Sequence, residues 1–102
     1  GELVRLKPSV YGIGWDIIIP RFINETFKLD KGDILSLYTD GFADQFEYKS
    51  KKKFSSVRLK KLLYENCNLP SPELYNLLDK EFEAWQGGYD QIDDVLVVGI
   101  KI

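Results

Sequence analysis

The chain has 102 residues, of which 44% are hydrophobic and 29% charged, with a formal net charge of -2; this fits one small globular domain or a piece of a larger one, and argues against disorder. It contains no histidine and a single cysteine, Cys67. A Ser-His-Asp triad, an imidazole base, His-ligated zinc and an internal disulfide are therefore excluded from this chain alone.

Carboxylates remain as the groups able to do chemistry, and they favour hard cations such as Mg or Mn. Cys67, at the end of an apolar helix, reads as a small core residue rather than a nucleophile. The longest apolar run, Val95 to Val98, is far short of the roughly 20 residues of a membrane-spanning helix. No signal or transit pattern opens the chain, so no membrane contact by this segment and a cytoplasmic location are expected, including the cytoplasmic part of a membrane-attached sensor. The modest net charge gives no bulk drive toward nucleic acid.

In chain order, Glu2 to Leu6 suits a short strand that Pro8 ends. Gly12 and Gly14 mark a tight passage, and Trp15 to Ile19 is apolar enough for another strand before Pro20. Asn24 to Leu29 alternates, and Lys31-Gly32 reads as a turn. Asp33 to Thr39, written DILSLYT, carries apolar side chains on both faces and predicts a central, interior strand. From Lys49 to Lys61 the chain is rich in Lys and Arg. That segment reads either as a docking patch for a phosphorylated or acidic partner or as a solvated loop running into a polar helix face.

Leu59, Leu62 and Leu63 fall at helical spacing from Ser56 to about Asn66. A second helix starts with Ser71 as N-cap and Pro72 in the first position, and Gly87-Gly88 stops it. Its stripe, Leu74, Leu77, Leu78, Phe82 and Trp85, reads as core. Asp94 to Ile102 predicts the closing strand. Strands, two helices and a last strand make an α+β pattern, an antiparallel sheet with both helices on one face. The other face must also be buried, and nothing further in these residues covers it.

Asp40 directly follows the strand DILSLYT, and Asp93 directly precedes the closing one. If the two strands are antiparallel neighbours, both carboxylates meet at one edge of the sheet, where they can share a metal ion. Parallel neighbours would put them at opposite edges. Gly41 allows a sharp turn after Asp40, and Asp94 adds negative potential or hydrogen bonds beside Asp93. Taken singly, Asp-Gly and Asp-Asp are ordinary turn and loop pairs.

These residues also carry a resemblance. The stretch KGDILSLYTDGFADQF at 31–46 and the closing QIDDVLVVGIKI at 91–102 resemble the TDG segment and the DD-containing terminal strand of SpoIIE-type phosphatases in the metal-dependent PPM (protein phosphatase 2C-like) superfamily. KKF at 52–54, the LKKLL helix, FEAW at 82–85 and YGIG at 11–14 fit a bacterial branch in order and spacing. The resemblance implies that residues 1–102 are the C-terminal portion of the phosphatase domain, half of an α-β-β-α sandwich, without its N-terminal half.

It further implies that Asp40 and Asp93 bind metal and serve catalysis, with Gly41 and Asp94 in support. In the complete family domain two Mn or Mg ions hold a water that attacks the phosphorus of phosphoserine or phosphothreonine. The family's upstream Asp-Gly motif, which bridges both ions, lies outside this stretch, so the chain alone is expected to be inactive. Where the branch often has a glycine pair after DQF, Glu47 and Tyr48 stand here.

The implied substrate is a phosphorylated protein, of which an anti-anti-sigma-like signalling protein is an example. The alternative is a non-catalytic regulatory or protein-interaction domain with the same fold, although two mutually repelling carboxylates have no purpose in a dead domain. A nucleic-acid binder using the lysine cluster is the weakest reading, because packing explains the neighbouring aromatics equally well. An open sheet face also predicts dimerisation of the fragment.

Overall fold

The computed structural model describes residues 2–6 and 22–102. The elements run β1 (Ile34–Tyr38), α1 (Asp40–Asp44), α2 (Ser56–Glu65), α3 (Ser71–Gln86) and β2 (Val97–Lys101). β1 and β2 pair antiparallel, with Ile34 opposite Lys101 and Tyr38 opposite Val97. The ladder continues beyond both ends. Thr39 N–H donates to the Leu96 carbonyl at 3.0 Å, and Ile102 N–H donates to the Asp33 carbonyl at 2.9 Å. At the β1 entrance Gly32 sits at φ 97°, the left-handed conformation that a turn of this shape needs and glycine supplies at no steric cost.

Because directly opposed residues in an antiparallel pair share a face, the register divides the ribbon in two. Tyr38 and Val97 lie on one face, and both pack against the core. Leu35, Leu37, Val98 and Ile100 lie on the other, where Leu37 is 56% and Ile100 46% exposed. The core is formed by Phe42, Ala43, Phe54, Leu59 and Phe82, with Leu62, Leu63, Leu78, Trp85 and Val95 packed around it. The stripes of α2 and α3 thus share one apolar cluster with one face of the ribbon, which is the expected α+β arrangement.

Aromatic rings dominate that cluster. Phe42 meets Phe54 at 5.0 Å and Phe82 at 5.1 Å between centroids, and Phe54 meets Trp85 at 5.6 Å, all in edge-on geometry. Edge-to-face packing places the positive ring edge on a negative face and adds about 0.5–1.5 kcal/mol per pair beyond area burial. α2 is capped by Ser55, whose Oγ accepts from Arg58 N–H at 3.3 Å. Gly87 ends α3 at φ 56°.

Several expectations change. Residues 2–6 and 24–29 carry no strand, having found no hydrogen-bonded partner strand among the described residues. The strand expected at 15–19 and the glycine passage at 11–14 lie outside the described residues. β1 pairs on one side only among the described residues, so there it is an edge rather than a central strand. The N-cap of α3 is Pro70, whose carbonyl takes the Leu74 N–H, so Ser71 belongs to the helix and its side chain does not cap it. β2 begins at Val97, with Asp94, Val95 and Leu96 between Asp93 and the strand.

Lys49, Lys51, Lys52, Lys53 and Arg58 of the basic segment are solvent-exposed, and several of them also lie on ring faces. Arg58 stacks between Phe54 and Trp85, with its guanidinium carbon 4.5 and 4.3 Å from their centroids. Lys51 lies over Tyr48 and Tyr89, and Lys53 reaches both the Phe46 ring and Asp44. Cys67 is half-buried and free in the turn after α2.

Candidate metal centre

Thr39 stands at the N-cap of α1, but its hydroxyl does not cap that helix. The oxygen instead accepts the Leu96 N–H at 3.1 Å and donates to the Asp94 carbonyl at 3.3 Å. The tip of β1 is thereby tied to the approach of β2 by a side chain as well as by the ladder.

Gly41 follows in α1 and is buried. A Cβ built there would collide with the Asp94 carbonyl oxygen, and would lie 2.7 Å from its carbon and 3.2 Å from Val95 Cγ2. Only a hydrogen fits, so the Asp-Gly turn and the Asp-Asp segment touch backbone to backbone. Asp40 lies between Thr39 and Gly41, both of which contact Asp94, and Asp93 is the residue before it.

The antiparallel geometry therefore places the main chains carrying Asp40 and Asp93 at one edge of the ribbon. Asp40 is exposed at the first position of α1. Asp93 is exposed, and its Oδ1 accepts the N–H of Asp94 at 2.7 Å, while its carbonyl accepts from Gln91 Nε2 at 2.9 Å. Asp94 contributes through its backbone carbonyl. Among the described residues no group of three or more His, Cys, Asp or Glu side chains converges. The donors present are hard carboxylate oxygens, the right chemistry for Mg or Mn, and further ligands would be needed to complete a coordination sphere.

Gln45 escaped the sequence reading. It follows α1, is fully buried, and donates from Nε2 to the Asp90 carbonyl at 2.9 Å and the Phe46 carbonyl at 3.2 Å. Its own carbonyl accepts from Trp85 Nε1 at 2.8 Å and Phe54 N–H at 2.9 Å. Nothing in spacing or periodicity separates this glutamine from a surface residue. Thr39 had a local signal, a threonine before Asp-Gly, though that signal points to helix capping rather than to the cross-strand bond observed.

The α+β unit, with its Asp-Gly and Asp-Asp segments at one edge of an antiparallel ribbon, has the fold of a protein phosphatase 2C-type domain. Residues 5–102 match the family model described as Stage II sporulation protein E (SpoIIE), and the chain belongs to that family. It is similar to the solved SiaA-PP2C domain of Pseudomonas aeruginosa, with a TM-score of 0.70 and 28% identity over 74% of this chain and 31% of that one. The chain thus spans about a third of that structure's length. No curated protein sequence matches it. Proteins of this family are generally serine/threonine phosphatases that use Mn or Mg. No helix among the described residues is long and apolar enough to cross a membrane.

Proposed function

We propose that this chain supplies part of the catalytic centre of a metal-dependent phosphoprotein phosphatase, with Asp40 and Asp93 as metal-binding and catalytic carboxylates. The observation that carries this reading is the contact of Gly41 with the Asp94 carbonyl, since each aspartate is the residue immediately before one partner of that contact. A bound Mn or Mg ion would supply an activated water and offset the charge of a phosphoryl group. The chain's own contribution is to hold the carboxylates. Thr39 and Gly41 fix the spacing of the two segments, and the Asp94 N–H holds one Asp93 oxygen and so limits rotation of its carboxylate.

The substrate class is a phosphoserine- or phosphothreonine-bearing protein, of which an anti-anti-sigma-like signalling protein is an example, and the location is cytoplasmic. Among the described residues no third acidic side chain joins this pair, so the 102-residue chain alone is expected to be inactive without further ligands.

The test is hydrolysis of a phosphoprotein by the full-length polypeptide that carries this chain. Asp40→Asn and Asp93→Asn should each lower Mn-dependent turnover on the order of 10²-fold or more, at or above the about 10–100-fold range seen for outer-shell partners of metal ligands. Wild-type turnover in both variants would remove the basis of this reading, and a parent protein without turnover would support a regulatory domain of the same fold.

A further inference from the structure

The segment from Gly87 to Leu96 joins α3 to β2 without helix or strand of its own, and it carries Asp93. A carboxylate on such a segment is only as well placed as the points that tie the segment down. At the β2 end those points are the Thr39 hydroxyl and the close approach of Gly41 to Asp94. At the α3 end the Tyr89 ring packs on Phe46, and the side-chain hydrogen bond that ties the segment to the rest of the fold is Gln45 Nε2 on the Asp90 carbonyl, 2.9 Å away. Asp93 lies between the two sets of ties.

Gln45 suits that task because it is itself immobilised. Its main chain is held through its carbonyl by the Trp85 indole N–H and the Phe54 amide, and its side chain is fully buried. The amide orientation is fixed by chemistry. Nε2 faces two carbonyl oxygens, Asp90 and Phe46, and turning the amide over would set three acceptors against one another. The other amide atom, Oε1, is buried with no hydrogen-bond partner. An apolar side chain of equal size would avoid that cost, so what the glutamine adds here is its grip on Asp90.

We propose that Gln45 is a positioning residue for Asp93, acting through the Asp90 carbonyl to set the affinity of the carboxylate pair for a divalent cation. The inference rests on the assignment of Asp40 and Asp93 as metal ligands. Gln45 touches neither substrate nor metal; it restricts the segment from which Asp93 projects, much as outer-shell partners hold metal ligands in other sites.

The experiment measures Mn2+ binding to the full-length polypeptide by titration calorimetry and by the electron paramagnetic resonance of free Mn2+, with the thermal midpoint followed in parallel. Gln45→Met keeps the length and bulk of the side chain and removes the donor. It should raise the Mn2+ dissociation constant about 10-fold, with turnover largely recovered at saturating Mn2+. Leu59→Val, a change inside the buried cluster, should lower the thermal midpoint and leave Mn2+ affinity unchanged.

A dissociation constant for Gln45→Met within about twofold of the parent would overturn the inference while leaving the phosphatase reading intact. Equal weakening by Leu59→Val would overturn it too, since any loss of stability would then suffice. A parent that binds no Mn2+ overturns both. Should Gln45→Met fail to fold, Trp85→Phe removes one of the two donors to the Gln45 carbonyl and should weaken Mn2+ binding in the same direction; unchanged binding there would refute the role.

Discussion

Gly41 and the carbonyl of Asp94 are in such close contact that no side chain fits between them. Two segments 53 residues apart in the chain are joined there, and the joint can be perturbed by adding a single methyl group. Gly41→Ala would have to push the Asp94 carbonyl and Val95 away. Overpacking of this kind costs about 1–3 kcal/mol, and the displaced residues adjoin Asp93. We expect a lowered denaturant midpoint together with weakened Mn2+ binding in the full-length protein. An unchanged midpoint would mean the joint is looser than the contact implies.

Thr39 supports the same joint by hydrogen bonding. Thr39→Val is nearly isosteric but removes the acceptor for the Leu96 N–H and the donor for the Asp94 carbonyl. The net value of a typical intramolecular hydrogen bond is about 0.5–1.5 kcal/mol, so a loss on that order is expected, with faster hydrogen exchange at the Leu96 amide. Thr39→Ser keeps the hydroxyl and should retain most of the protection. Parent-like stability and exchange in Thr39→Val would show that the hydroxyl does not hold the joint.

The joint was legible in the sequence to the extent that strand order and polarity were. DILSLYT and VLVVGIKI are strongly apolar, and each carries an aspartate at the end nearer the other, so an antiparallel pairing brings the segments together. The strand ends were not legible. Thr39 extends the ladder, yet the next residue enters α1, because Gly41 lets the chain fold onto Asp94. Residues 24–29 alternate as a strand should but lie in irregular chain, because alternation signals a strand only where an edge is available to pair with it. Gln45 could not be read at all, since its burial depends on Trp85, Phe54 and Asp90, which only the tertiary fold assembles around it.

Phe42 is the residue through which α1 enters the core. It touches both Phe54 and Phe82 edge-on and is 2% exposed. Phe42→Ala would remove a ring from a small cluster, with an expected loss of about 3–5 kcal/mol. Leu59→Ala, also fully buried, should cost about 2–5 kcal/mol. Because Phe42 follows Gly41 directly, its truncation should also loosen the turn that carries Asp40, which a comparison of Mn2+ affinity between the two variants would reveal. Equal affinities would show that the core and the carboxylate edge respond independently.

The outer face of the ribbon leads to a last expectation. Leu35, Leu37, Val98 and Ile100 share it, and Leu37 and Ile100 remain substantially exposed. Four apolar side chains in register present a flat surface, and a second copy offers the same surface in return, so two ribbons can bury it at the usual spacing of about 10 Å between packed sheets. The isolated 102-residue chain is therefore expected to dimerise through this face in sedimentation experiments. Leu37→Lys combined with Ile100→Lys should shift it to monomer while leaving the helical signal intact, because neither residue belongs to the Phe42–Phe82 core. A monomeric parent at high concentration would refute this association, and a dimer that survives both lysines would relocate it to the unpaired strand edges, whose free N–H and C=O groups offer the other route to self-pairing.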